Sequence, residues 1–274
     1  MPSITRTIIK KISASGESSE ADLLAVEEPL EIRLEYSDGL SRIKKNISVT
    51  MRTPGNDAEL AIGFLFTEGI IKSHDDFTRV DTEAKNANIV VVALRDGQAP
   101  EMGKLDRNFY TTSSCGVCGK ASIEAVKVAC NIPERFDKIR VPASLICSLP
   151  GQLRAHQDVF ETTGGLHGCA IFDLDGHLLL AREDVGRHNA LDKLVGAALG
   201  QGIVPLGNHI LLLSGRASFE LIQKAVMCGI KIAAAVGAPS SLAVEVAEEW
   251  GMTLIGFLRG EKFNIYSGAE RIVI

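Results

Sequence analysis

The chain has 274 residues, its net charge is −5 and its pI is near 5.7, so no basic field predicts nucleic-acid binding. Apolar residues make up 46% and charged residues 23%, which is ordinary for a globular protein with a sizeable core. No run approaches about eighteen apolar residues and Met1 to Glu20 lacks an apolar signal segment, so we predict a cytoplasmic protein without membrane contact. The six cysteines are then expected to stay reduced.

The N-terminal part combines a polar tail with a small α+β domain. Residues 1–20 are polar, with a stretch rich in Ser, Gly and Glu, and we predict a disordered tail. Residues 21–110 contain two alternating strands around an Asp38-Gly39 turn, then a helix and another strand. These elements are predicted at residues 30–36, 42–51, 58–70 and 88–94.

Two cysteines, Cys115 and Cys118, lie directly before a helical pattern over residues 121–129. A thiol near a helix N-terminus meets free backbone N–H groups and the positive end of the helix dipole, and Lys120 adds a nearby charge. All three effects favour thiolate over thiol. The motif is therefore suited to nucleophilic sulfur chemistry, and metal binding or a disulfide remain alternatives.

Residues 111–274 are predicted to form a layered α/β domain that carries this cysteine motif. A helix over residues 142–156 precedes a Gly/Thr-rich loop at residues 160–169 and a hairpin around Asp175-Gly176. Continuous apolar strands then alternate with helices, which predicts parallel pairing with both faces of the sheet covered. These strands are predicted at residues 209–213, 230–236 and 253–258.

Three polar loops follow strands in this domain, at residues 183–189, 214–218 and 238–241. Ligands of open α/β sheets collect where such loops lead into helices. Ser214, Gly215 and Arg216 offer a permissive backbone, a hydroxyl and a guanidinium, which suit a phosphate-bearing ligand. Simple helix capping is the alternative. The chain has no P-loop and no Gly-x-Gly-x-x-Gly motif after a strand, which disfavours an ATPase or a Rossmann dehydrogenase.

Metal-based interpretations of the cysteine pair find few ligands. A structural zinc site would need Cys115 and Cys118 to converge with His167 and Cys169. A zinc deaminase needs His-x-Glu before Pro-Cys-x-x-Cys, and neither pattern occurs. A thioredoxin-like oxidoreductase is the other interpretation of the pair, but the thioredoxin fold places this motif after an early strand of a smaller domain. We therefore favour a thiolate that carries a group, and we expect no metal.

Several motifs together identify the family that the chain resembles. They are Thr53-Pro54-Gly55, residues 113–119, the string from Glu183 to Lys193, Ser214-Gly215-Arg216 and Ala238-Pro239-Ser240. Across residues 25–270 they resemble the FdhD/NarQ family, the accessory sulfurtransferases of formate dehydrogenase. The resemblance implies a cytidine deaminase-like fold for the C-terminal domain, although the deaminase zinc residues are absent.

The resemblance also implies a function. Such a protein takes persulfide sulfur from a cysteine desulfurase and passes it to a bound substrate. This substrate is the molybdenum cofactor bis(molybdopterin guanine dinucleotide), and transfer precedes its entry into formate dehydrogenase. The alternative is a chaperone that binds this cofactor without sulfur transfer. A homodimer is a further expectation from the family.

The resemblance assigns site residues by position. Cys115 matches the persulfide-bearing cysteine and Cys118 the second cysteine of the family motif. The cofactor-binding segment of the family matches Phe257, Leu258, Arg259, Gly260, Glu261 and Lys262. The guanine nucleotide ends of the cofactor are expected against this segment and the loop of Ser214, Gly215 and Arg216.

Overall fold

The computed structural model describes residues 1–37, 39–84, 86–98 and 138–274. Within these ranges the chain forms two larger β-sheets, two small two-stranded sheets and six α-helices. The motif from Cys115 to Lys120 lies outside the described residues, as does the predicted domain boundary near residue 110.

The first 25 residues form an antiparallel hairpin of two strands, β1 (Ile4–Ser13) and β2 (Gly16–Ala25), which make a sheet of their own. This hairpin stands where we predicted a disordered tail over residues 1–20. Nearly all of its side chains are exposed, so the sequence lacks the apolar alternation by which a half-buried strand is recognised. The ladder itself and a backbone bond from Val26 N to Ser3 O close the hairpin.

Four strands form the N-terminal sheet: β3 (Glu28–Ser37), β4 (Arg42–Arg52), β5 (Phe77–Glu83) and β6 (Asn86–Leu94). Their order is β4-β3-β6-β5. β3 and β4 pair antiparallel, which confirms the predicted hairpin, and β3 runs parallel to β6. Helix α1 (Asp57–Thr67) confirms the predicted helix and supplies Leu60 and Leu65 to the core.

The C-terminal sheet contains six strands: β8 (His167–Asp173), β9 (Leu178–Asp184), β10 (His209–Leu213), β11 (Ile232–Ala235), β12 (Thr253–Arg259) and β13 (Lys262–Ser267). Their order is β13-β12-β11-β10-β8-β9. β10, β11 and β12 are parallel and β8 and β9 form a hairpin, as predicted. β13 returns antiparallel to β12 and was not predicted.

Five helices complete this region: α2 (Ala143–Arg154), α3 (Asp158–Thr163), α4 (Arg187–Gly200), α5 (Phe219–Met227) and α6 (Ser241–Glu249). Ile210 and Leu212 of β10 lie in one apolar cluster with α2. Leu211 and Leu213 lie in another cluster with α4, α5 and α6. Helices therefore cover both faces of the sheet, in agreement with the predicted mixed α/β class.

Short elements complete the described chain: strands β7 (Val141–Pro142) and β14 (Ile272–Val273), and 3-10 turns His74–Asp76 and Ala269–Arg271.

Helices α1 and α4 join the two larger sheets into one core. A β-carbon on Gly63 would collide with the carbonyl oxygen of Asp192, and one on Gly196 would collide with that of Glu59. Each helix thus places a glycine against the backbone of the other, so the two helix backbones are in direct contact where they cross. The apolar cluster continues through this crossing, from Leu34 of β3 to Leu211 of β10.

Candidate functional site

Three loops meet where the parallel strands end. Val236 N donates to Leu213 O at 3.0 Å, Gly237 N to Gly215 O at 2.9 Å and Phe257 N to Gly237 O at 3.0 Å. The loop after β10, the loop after β11 and the last residues of β12 are therefore joined side by side. We call residues 214–218, residues 237–241 and Phe257 the strand-end edge. It is the region in which open α/β sheets bind ligands.

Phe257 and Arg216 are the exposed side chains of this edge that matter most for a ligand. Phe257 has φ 54° and lies within an irregular stretch of the β12–β13 pairing. A bulky residue rarely adopts this left-handed conformation, and such strain concentrates at functional sites. The aromatic side chain remains 42% exposed. The Arg216 guanidinium is exposed and forms no ion pair with the described residues, so it is available to an anion.

The predicted cofactor segment divides between the edge and a second location. Leu258 is fully buried in the core, so its side chain cannot touch a ligand. Arg259 donates from Nε to Val236 O at 3.4 Å and stays beside the edge. Gly260, Glu261 and Lys262 form the turn into β13 and line a cavity of about 790 Å³ with the first half of α2.

A second cavity, of about 680 Å³, lies at the other end of α2. Ser214 and Gly215 line it from the strand-end edge, Val236 from directly after β11, and Leu166 and His167 from the start of β8. Both volumes fall in the range of small-molecule sites. Ser214 and Gly215 thus line one cavity, and the turn from Gly260 to Lys262 lines another at the opposite end of the same helix.

Gly168 and Ser214 join β8 to the edge, and His167 lies next to this junction. Gly168 N donates to Ser214 Oγ at 2.8 Å and Ser214 N to Gly168 O at 2.9 Å. Burial lowers the pKa of His167, and the charges of Arg187 and His188 lower it further. The imidazole is therefore kept neutral at the cavity wall.

The segment from Glu183 to Lys193 mainly forms buried polar contacts with the N-terminal part of the chain. The Asp184 carboxylate has no exposed surface, and it accepts from Thr53 N at 3.1 Å and Lys193 Nζ at 2.7 Å. Lys193 Nζ also donates to Thr53 O at 2.8 Å. Asn189 adds a bond from Nδ2 to Met51 O at 2.7 Å. These contacts explain why the loop holds more polar groups than a helix cap requires: they tie the N-terminal sheet to α4.

Three residues at the starts of α4 and α5 form a polar group at the edge, which we call the His188 cluster: His188, Ser218 and Glu220. His188 Nε2 lies 2.9 Å from Glu220 Oε2 and 3.3 Å from Ser218 Oγ. His188 belongs to the polar loop at residues 183–189 that the sequence indicated. Glu220 was missed, because nothing in the spacing shows that the starts of α4 and α5 would meet.

The described cysteines are partly or fully buried. Burial raises the pKa of the Cys169 thiol far above its ordinary value, so the free thiol stays protonated. Cys228 is also buried, and burial with the charge of Glu261 raises the pKa of Cys147. Cys115 and Cys118 lie outside the described residues.

One group of potential metal ligands occurs in the described part of the chain, on the exposed turn between β8 and β9. Asp173 there accepts hydrogen bonds from the backbone of Asp175 and from the backbone and Nδ1 of His177. These bonds account for the group as a turn. No helix in the described ranges is long and apolar enough to cross a membrane.

Comparison with known proteins extends over nearly the whole chain. A model of the FdhD/NarQ family matches residues 25–273. A sulfur carrier protein FdhD from Streptomyces coelicolor is 48% identical over 278 residues, which cover 98% of this chain and 95% of the relative. The protein of that name from Mycolicibacterium paratuberculosis is 49% identical over 275 residues, 98% of each chain.

The same fold occurs in a crystal structure of a formate dehydrogenase accessory protein from Desulfotalea psychrophila. The TM-score is 0.77, and the match covers 99% of this chain and 100% of the other at 24% sequence identity. This likeness establishes the shared fold alone.

Proposed function

Since the chain belongs to the FdhD/NarQ family, we propose that it is a sulfur carrier for formate dehydrogenase and holds the sulfur as a persulfide on Cys115. One observation carries the proposal: relatives about half identical over nearly the full length are named sulfur carrier proteins. The Cys-Gly-Val-Cys motif supplies the thiol pair that this chemistry needs.

The transfer takes two displacement steps. The Cys115 thiolate attacks the outer sulfur of a cysteine desulfurase persulfide, and the desulfurase thiolate leaves with the electron pair of the broken bond. Cys118 then attacks the Sγ of Cys115, forms a disulfide and releases hydrosulfide to the molybdenum cofactor. A dithiol reductant has to reduce the disulfide before the next cycle.

The acceptor is the bis(molybdopterin guanine dinucleotide) cofactor, bound as substrate. Its phosphates would lie against Ser214, Gly215 and the exposed guanidinium of Arg216. The strained, exposed Phe257 supports a ligand at the same edge. The turn from Gly260 to Lys262 offers a further contact on the other side of α2.

The partners in this proposal are a cysteine desulfurase, formate dehydrogenase and a second copy of the chain. The homodimer follows from the family expectation, and the cytoplasmic location remains the prediction made from the sequence. The sheet from β8 to β12 has the hairpin and parallel strands that a cytidine deaminase-like fold would need, and this assignment belongs to the same proposal.

The persulfide is tested by intact-mass analysis after incubation with a desulfurase and cysteine. The wild-type protein should gain about 32 Da, the mass of one sulfur atom. Cys115→Ala should lose this adduct. The matched control Cys147→Ala should retain it, because the Cys147 thiol has a raised pKa. A wild-type protein without an adduct contradicts the persulfide role.

The alternative is a cofactor-binding chaperone that transfers no sulfur. It predicts that Cys115→Ala and Cys118→Ala leave formate dehydrogenase active, whereas Arg216→Ala does not. Sulfur transfer predicts that Cys115→Ala removes activity. The comparison of these variants in cells separates the two functions.

A further inference from the structure

His167 is the histidine that lines the cavity of about 680 Å³ beside the strand-end edge. It opens β8, it is half-buried, and its two ring nitrogens form no hydrogen bond with the described residues. Other histidines have their rings engaged by carboxylates: His177 by Asp173, and His188 by Glu220. The imidazole of His167 is therefore open to a ligand in the cavity.

Packing holds this imidazole in place without using its nitrogens. A β-carbon on Gly215 would lie 3.3 Å from Nδ1 and 3.6 Å from Cε1 of His167, so the ring packs directly against the loop after β10. The neighbouring Gly168 is tied to the same loop, because its N donates to Ser214 Oγ at 2.8 Å and its O accepts from Ser214 N at 2.9 Å. The ring thus has a defined position beside the loop that the proposed function places against phosphates.

Among the described residues that line this cavity, His167 is the one that can accept a proton near pH 7. Arg154, at the end of α2, is the other titratable residue of the lining, and a guanidinium stays protonated in proteins. Burial lowers the pKa of His167, and the charges of Arg187 and His188 lower it further. The carboxylate of Asp184 acts in the opposite direction but does not reverse the shift. The cavity wall therefore carries a neutral base.

The delivery of sulfur to a metal releases a proton. Hydrosulfide carries one proton, and a sulfur ligand gives up its proton when it binds a metal ion. We propose that His167 accepts this proton while the sulfur passes to the cofactor. The S–H bond breaks and an N–H bond forms on the imidazole, whereas the electron pair stays on sulfur and forms the bond to molybdenum. The imidazolium then loses its proton to water, which regenerates the base.

This role of His167 rests on the proposed function, which supplies both the hydrosulfide and its acceptor. The cavity that His167 lines is also lined by Ser214 and Gly215, the residues to which the proposed function assigns the phosphates of the acceptor. The base and the acceptor would thus share one cavity.

Discharge of the persulfide by the full chain tests this role. The protein is loaded with a desulfurase and cysteine, molybdenum cofactor released from a molybdoenzyme is added, and the loss of the sulfur adduct is followed by intact mass. His167→Ala should load as the wild type does but discharge at least about 100-fold more slowly, since a general base contributes about 10²–10⁴-fold. The control His177→Ala, on the exposed turn between β8 and β9, should discharge at the wild-type rate.

Added imidazole separates a proton acceptor from a structural role. In His167→Ala the missing ring leaves space that adjoins the cavity, so free imidazole can enter and take the proton. Imidazole should raise the discharge rate of His167→Ala about tenfold or more and leave the wild-type rate unchanged. The wild-type rate should also fall only below about pH 6.5, as His167 becomes protonated, and His167→Ala should lack this dependence.

If His167→Ala does not fold, His167→Gln provides the test, because its amide keeps a polar side chain but is not a base near pH 7. It should discharge at least about 100-fold more slowly than the wild type. Discharge of either variant at the wild-type rate would overturn the inference. A slow His167→Ala that imidazole does not accelerate would overturn it as well, because the ring would then be needed only for packing.

The same assay distinguishes this inference from the proposed function. A wild-type protein that gains no sulfur adduct, or that keeps its adduct after the cofactor is added, contradicts the proposed function, and the role of His167 falls with it. An adduct on Cys115 that the wild type and His167→Ala discharge at the same rate leaves the proposed function standing and removes only the role of His167.

Discussion

Lys224 is a buried charge outside the candidate site. Its ammonium donates to both carboxylate oxygens of Asp192, at 2.8 and 2.9 Å, and to Thr67 Oγ1 at 2.8 Å. Burial lowers the pKa of Lys224, but the charges of Asp192 and Glu68 outweigh it and the net shift is upward. The ion pair thus holds α1, α4 and α5 together at their interface.

Removing one member of this pair should destabilise the protein strongly. Lys224→Met leaves Asp192 buried and unpaired, and we expect a loss of about 3–5 kcal/mol in the free energy of unfolding by urea. The matched control is Lys11→Met, in an exposed ion pair with Glu20, where we expect no measurable change in the free energy of unfolding. Equal effects of the two substitutions would show that the buried pair is not needed.

His167 should make the stability depend on pH. Because burial, Arg187 and His188 lower its pKa, the unfolded chain binds a proton at a higher pH than the folded chain does. Stability is unaffected above the unfolded pKa of about 6.5 and falls as the pH drops below it. His167→Asn should therefore flatten the loss of unfolding free energy between about pH 6.5 and pH 5.

His177 provides a control of opposite sign for that experiment. The hydrogen bond and charge of Asp173 raise the pKa of His177, so its contribution is present at low pH and is lost as the pH rises through the folded pKa. His177→Asn should make the loss on acidification steeper. If both histidine variants change the slope in the same direction, the assigned shifts are wrong.

At the scale of elements, the crossing of α1 and α4 depends on two glycines. We expect Gly63→Ala and Gly196→Ala each to cost about 3 kcal/mol or more, because a methyl group meets backbone that cannot yield without moving the partner helix. Gly200→Ala, near the end of α4, places its methyl group in open space and gains helix propensity. Its unfolding free energy should rise by up to about 1 kcal/mol. Small losses at positions 63 and 196 would contradict the crossing.

The elements that could be predicted are those with a strong local pattern. The apolar strands β10, β11 and β12, separated by helices, were recognised as parallel from the sequence alone. Helix α3 was predicted as loop because its capping group is not nearby in the sequence. The free N–H groups of Val159 and Phe160 donate to the Glu183 carboxylate. That cap lies more than twenty residues away, so local reading does not reveal it.

In the candidate site, too, some residues could be predicted from local sequence and others could not. Strand ends and loop composition correctly placed Ser214, Gly215 and Arg216 at the edge where β10 to β12 finish. The alternation along β12 did not reveal that Leu258 turns into the core while Phe257 is held outward. Glu220 could not be predicted, because its contact with His188 exists only once α4 and α5 are packed.

At the scale of the whole molecule, the N-terminal hairpin is separate from the main core. Its strands form their own sheet and leave Ile8 and Ile12 about 70% exposed. Removal of residues 1–25 should therefore leave the unfolding free energy within about 1 kcal/mol of the full chain, with a single urea transition. Loss of cooperative unfolding in the shortened chain would show that the hairpin belongs to the core.

The central claim is that the molecule delivers sulfur, and formate dehydrogenase from cells carrying Cys115→Ala tests it most directly. Activity and molybdenum cofactor content are measured on the purified dehydrogenase, beside cells with wild-type protein and with Cys147→Ala. We expect inactive enzyme that still contains cofactor in the Cys115→Ala cells, and full activity in both comparison strains. Active dehydrogenase in the Cys115→Ala cells, or inactive dehydrogenase without cofactor, would contradict sulfur delivery by Cys115.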